Sequence, residues 1–109
     1  MKIKKFLLIL IFSFLLNTQT SFADEAKMTK GLEIFNETAG CAACHVLKAA
    51  GSEGNIGPNL DTVEGLNYDS VMDIVTHGLG VMPAFGEDEI LTKEEIDIVS
   101  FYVANSVSK

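Results

Sequence analysis

The side chains able to ligate a metal or carry redox chemistry are few in this chain: two cysteines, two histidines and four methionines. Three of them adjoin, in Cys41-Ala42-Ala43-Cys44-His45. Two cysteines with two residues between them and a histidine next form the C-x-x-C-H pattern of covalent c-type haem attachment. One helical turn sets both sulfurs along one edge of a porphyrin, where each can bond a vinyl-derived carbon. The next residue then points its imidazole at the iron. Small Ala42 and Ala43 let the backbone approach the ring. Other uses of the same residues explain less. A thioredoxin-like site needs a βαβ setting that the sequence does not offer. A structural zinc site needs four ligands, and His77 alone would have to complete it. A plain disulfide leaves His45 unexplained. One haem c, bonded through Cys41 and Cys44 with His45 on the iron, is therefore expected.

A six-coordinate iron needs a second axial ligand, and the candidates are Met28, Met72, Met82 and His77. Met82 is favoured. It lies in the loop Gly78-Leu79-Gly80-Val81-Met82-Pro83-Ala84-Phe85, where Pro83 restricts the neighbouring backbone and the glycines permit tight turns. His and Met form a known axial pair. Met28 and Met72 fit better as gap-fillers on helix faces. His77 stays as the rival, because imidazole binds iron strongly. At a helix end beside Gly78, it reads otherwise as a surface histidine interacting with the helix C-terminus.

These residues must be positioned by helices and loops. Ala26 to Thr38 has apolar residues at Met28, Leu32 and Phe35, with Ile34 beside them. That spacing predicts an amphipathic helix stopped near Gly40. Glycines and Pro58 make most of 49–67 a loop. Tyr68 to His77 predicts a short helix with Asn67 as N-cap and Gly78 as stop. Its apolar residues are Val71, Met72, Ile74 and Val75. A second loop runs from Gly78 to Glu89. Thr92 with Glu95 is a capping box that opens the last helix. Ile96, Val99 and Val103 form its stripe, flanked by Phe101 and Tyr102. No alternating strand pattern is seen, so the fold class is all-α. Three short helices and long loops bury little core, and a domain this small needs a staple. A large apolar ligand at the centre would supply one.

The chain has 109 residues, enough for one domain and too few for a multidomain enzyme. Lys2, Lys4 and Lys5 precede an apolar run from Phe6 to Leu16, then a polar stretch, then Ser21-Phe22-Ala23. This is the layout of a cleaved secretory signal over 1–23. The apolar run is too short for a spanning helix, which needs about 20 such residues. The mature domain is expected over 24–109, exported to a bacterial periplasm and without stable membrane insertion after cleavage. That stretch carries five lysines against fifteen acids, a net of −10. Such a field repels nucleic acid and anionic membranes.

The sequence resembles the class I c-type cytochromes, of the small, soluble, monohaem bacterial kind. The resemblance spans 24–109. It rests on Gly31 with Phe35, Cys41-Ala42-Ala43-Cys44-His45, Gly57-Pro58-Asn59-Leu60 and Val81-Met82-Pro83-Ala84-Phe85. It implies three to four helices wrapped around one covalently bound haem. It implies a first and last helix crossing at right angles, where Gly31 and Phe35 meet Phe101 and Tyr102. It also implies that the Pro58 carbonyl accepts a hydrogen bond from the non-ligating nitrogen of His45, orienting the ring. The chain departs from the mitochondrial members in its shorter loops and in lacking their lysine cluster. It has no Trp to hold a haem propionate, a role left to Tyr68 or Asn59.

A haem with both axial positions filled changes between Fe(II) and Fe(III) without exchanging ligands, and Met raises its potential. The expected function is a periplasmic electron carrier between a donor complex or dehydrogenase and an oxidase, reductase or reaction centre. It is read as monomeric, not an enzyme, and directed by its acidic field to partners with basic docking surfaces. An alternative keeps the fold but docks the chain permanently in a periplasmic dehydrogenase complex. A third reading, a gas sensor or small peroxidase, would need a labile Met82.

Overall fold

The computed structural model describes residues 22–107. The export segment expected over 1–23 lies outside the described residues except for Phe22 and Ala23. Helix α1 is helical across 22–33, so it begins before the Ala26 suggested by apolar spacing. It does not end as an ordinary α-helix. Ile34–Thr38 form one widened π turn, closed by the Ala39 amide donating to the Ile34 carbonyl at 2.9 Å. The extra residue turns two sequence neighbours, Ile34 and Phe35, into the core together. Gly40, with φ near +70°, then bends the chain away in a left-handed conformation that a side chain would disfavour.

Helix α2, Tyr68–His77, has the predicted bounds. The Asn67 side chain accepts from the Ser70 amide, and the Ser70 hydroxyl closes the reciprocal bond. Helix α3, Lys93–Ser106, opens with the Thr92/Glu95 capping box. Its stripe of Ile96, Val99 and Val103 is buried against Val71 and Val75 of α2.

Helix α1 meets α3 at Gly31. A Cβ there would stand 2.2 Å from Tyr102 Cβ and 3.2 Å from the Ile98 carbonyl oxygen, so glycine permits the approach. Phe35 and Tyr102 meet as a tilted aromatic pair, with ring centroids 6.0 Å apart and planes at 57°. The expected aromatic pair divides here. Consecutive helical residues point about 100° apart, so only Tyr102 faces inward. Phe101 turns out to lie under the Lys27 ammonium, 4.7 Å from its ring centroid. Lys27 also pairs with Asp97 at 2.9 Å, and the Tyr68 hydroxyl donates to the same carboxylate. One carboxyl on α3 thus ties in both other helices.

The loops hold a small exception to an all-helical reading. Strand β1, Val46–Leu47, pairs antiparallel with β2, Ser52–Glu53, in the register Val46 to Glu53 and Leu47 to Ser52. A single turn over Lys48–Ala50 joins them, finished by Gly51 at φ +67°. Two-residue strands are too short to show any alternation in sequence. The fold remains a mainly helical, class I cytochrome-like one. Among the described residues, no helix is long and apolar enough to cross a membrane.

Candidate haem site

The Cys41–His45 segment is one tight turn. Gly40 starts it, and the Cys44 and His45 amides both donate to the Cys41 carbonyl, at 3.1 and 3.0 Å. The two thiols therefore sit about one turn apart, and both are free. Burial is the main reason that the Cys41 thiol is pushed up to about 11. Its own backbone hydrogen bond offsets this in part, and Cys44 adds a smaller rise. A redox-active C-x-x-C pair needs the opposite, a lowered thiolate pKa. Among the described residues, no group of three or more His, Cys, Asp or Glu is arranged to hold a bare metal ion.

The rest of this turn is clasped from the following loop. The Ser52 hydroxyl donates to the His45 carbonyl at 2.8 Å and accepts from the Leu47 amide at 2.9 Å. Gly54 lies so close that a Cβ would come within 2.6 Å of the Ala42 and Ala43 backbone. The Gly57 amide donates to the Cys44 carbonyl at 2.7 Å. A Cβ on Gly57 would meet His45 Cε1 at 2.6 Å. His45 Nδ1 is 2.7 Å from the Pro58 carbonyl oxygen. A carbonyl can only accept, so Nδ1 carries the hydrogen and the neutral ring keeps its lone pair on Nε2. This is the arrangement that orients a metal-ligating imidazole.

Met82 comes from the other loop. Leu79 and Met82 exchange both backbone hydrogen bonds, at 3.2 and 3.0 Å, around a tip at Gly80 and Val81. Gly78, at φ +73°, seats this hairpin on the end of α2. A Cβ there would stand 2.7 Å from the Met82 carbonyl oxygen. Met82 is half-buried and packs on the same apolar cluster as Cys41, Ala42, Leu60 and Leu66. Met28 and Met72 also pack on this cluster, from helices. The loop frames an open hollow lined by His77 to Ala84 and Asp88, and of the expected site residues only Met82 borders it.

His77 stands outside that cluster. Its side chain is exposed, Nδ1–H donates to Glu87 Oε1 at 2.5 Å, and Nε2 lies 3.7 Å from Asp73. It interacts with carboxylates rather than with the helix carbonyls expected to hold it. Tyr68 and Asn59 are engaged too. Tyr68 donates to Asp97, and the Asn59 side-chain oxygen accepts from the Asp61 amide at 2.9 Å. Sequence reasoning foresaw the Pro58 bond, through the Gly57-Pro58-Asn59-Leu60 motif, and missed the rest of the clasp. Gly54 showed there only as a loop residue, and Ser52 gave no signal at all.

The donor set fits a c-type haem. It comprises two unpaired thiols one turn apart, an imidazole whose Nδ1 is already anchored, a half-buried thioether, and apolar side chains packed on the same core. The comparisons with known proteins point to the same class of cofactor. The family described as cytochrome C oxidase, cbb3-type, subunit III matches residues 26–103. The chain is similar to the c-type cytochrome SorU from Sinorhizobium meliloti, known from its crystal structure. Sequence identity is 44% and the TM-score 0.69, over 78% of this chain and 95% of that one. No curated protein matches the chain. The matched span takes in both loops, all of α2 and most of α1 and α3, and the chain belongs to this cytochrome c family as a small class I c-type cytochrome.

Proposed function

We propose that the protein is an exported, periplasmic electron carrier holding one haem c on Cys41 and Cys44, with His45 and Met82 as axial ligands. Electron transfer by a haem cytochrome follows from the family. The attachment, the ligand pair and the location are the finer reading. The observation that carries it is the bond from His45 Nδ1 to the Pro58 carbonyl beside two free thiols. Haem bound there would supply a one-electron Fe(III)/Fe(II) couple with little ligand rearrangement. The chain's own residues do the rest. Pro58 holds the imidazole in one tautomer and makes Nε2 a stronger donor. Gly54, Gly57 and Ser52 fasten the turn that carries both sulfurs. The Leu79–Met82 hairpin holds the thioether on the apolar cluster, and buried Phe85 and Leu91 back that loop and keep water out.

The acidic surface of 24–109 supports partners with basic docking surfaces, since a net of −10 steers cationic patches inward. The signal layout of 1–23 supports export.

The test is the optical spectrum of the mature holoprotein, oxidised and reduced. A c-type reduced spectrum is expected, with the weak long-wavelength band that thioether ligation gives ferric haem. Met82→Ala should abolish that band while Met72→Ala and Met28→Ala retain it. A wild-type spectrum without the band, or a band that survives in Met82→Ala, would overturn the ligand assignment. Mass spectrometry of the secreted chain should find Asp24 as its first residue.

A further inference from the structure

The loop that carries Met82 is closed at its base. It leaves α2 at His77 and returns at Gly86 and Glu87, whose amides both donate to the Thr76 carbonyl, at 3.2 and 3.1 Å. A third link spans the same base through side chains, from His77 Nδ1 to Glu87 Oε1 at 2.5 Å. We infer that His77 is a positioning residue for Met82: its charge-assisted bond to Glu87 fastens the base of the ligand loop, and the fastening loosens when the imidazole loses its proton. This rests on the Met82 ligation proposed above.

The charged groups facing His77 are all acidic. Asp73 approaches Nε2 from its own helix at 3.7 Å, Glu87 holds Nδ1, and Asp88 lines the same hollow. The hydrogen bond to Glu87 is the main cause that raises the His77 pKa above 6.5; desolvation opposes it, and the charges of Glu87 and Asp73 add smaller rises. The sign follows from linkage. A raised histidine contributes fully below its unfolded value, and the contribution is lost as pH climbs through the higher folded value. Above that, Glu87 faces a neutral ring, and the loop base keeps only its two backbone bonds. The pair is exposed, so the effect is modest. Four residues separate His77 from Met82, and the hairpin at Leu79 and Met82 transmits the base geometry to the thioether.

Carbon monoxide is a suitable probe, because it is neutral and competes with the thioether for ferrous haem. Its binding rate reports how often the loop releases iron. In the wild-type holoprotein, the rate should rise about 1.5- to 5-fold as pH passes through the His77 titration, the range open to an exposed ion pair. The midpoint should match that of the His77 imidazole protons followed by NMR. His77→Gln should flatten the profile. Glu87→Gln should move the midpoint down further than Asp73→Asn does, as 2.5 Å against 3.7 Å requires. A slow wild-type rate whose pH profile survives in His77→Gln overturns the clamp alone. Binding as fast in the wild type as in Met82→Ala overturns the ligation itself, and the clamp with it.

Discussion

Gly57 gives the sharpest test of how the proposed iron ligand is held. A methyl at this position would stand 2.6 Å from His45 Cε1, 2.9 Å from Nδ1 and 3.1 Å from Nε2. Ordinary contact begins near 3.4 Å, so ring and backbone must separate by about 0.8 Å. The backbone has little room to yield, since the Gly57 amide is bonded to the Cys44 carbonyl at 2.7 Å. The ring is also held by the next residue, its Nδ1 standing 2.7 Å from the Pro58 carbonyl oxygen. A displacement of about 0.8 Å along that bond takes it to the edge of hydrogen-bond range. Overpacking costs about 1–3 kcal/mol. Losing the bond adds about 0.5–1.5 kcal/mol. Removing a glycine from the unfolded chain returns about 0.4–1 kcal/mol, because nothing in the Gly57 backbone requires a positive φ. The net expectation for Gly57→Ala is a loss of about 1–3 kcal/mol, read from guanidinium unfolding of the holoprotein. The reduction potential should rise as well, because an imidazole released from Pro58 is a poorer donor to iron. A variant as stable as the wild type, with an unchanged potential, would refute the account of the clasp.

Gly31→Ala should destabilise by about 1–3 kcal/mol in the same unfolding assay, although alanine is the better helix former, because its methyl would fall 2.2 Å from Tyr102 Cβ. The Asp97 carboxyl is held below its ordinary value, first by the Tyr68 hydroxyl and then by Lys27. A depressed carboxylate stabilises above its unfolded value and loses that contribution as pH falls through the folded one. Asp97→Asn should therefore lower the unfolding midpoint at pH 7, with the difference shrinking below about pH 4. The net of −10 over 24–109 predicts opposite salt dependences for small redox reagents. Reduction of a cationic cobalt complex should slow as salt is added, and reduction of ferricyanide should speed up. Matching trends in stopped-flow traces would contradict the steering argument.

Features readable in advance were those whose cause lies within a turn of chain. Asn67 with Ser70 and Thr92 with Glu95 announce helix starts because each cap bonds an amide three residues on. The buried stripe of α3 was visible as period alone. The π turn at Ile34–Thr38 was not, because its extra residue answers to Tyr102 and the core, far along the chain. The two-residue strands were invisible for lack of length.

The turn Cys41-Ala42-Ala43-Cys44-His45 points to its chemistry from the residues themselves, since sulfur spacing and the adjoining imidazole are local covalent facts. The tertiary structure alone decided what surrounds it. It set Gly57 against the His45 ring, sent Tyr102 inward and Phe101 outward, bound Tyr68 to Asp97, and joined His77 to Glu87. Each of those contacts joins residues 10 to 74 apart in the chain. Such pairings depend on which faces the packed helices have left available, and no local spacing encodes that.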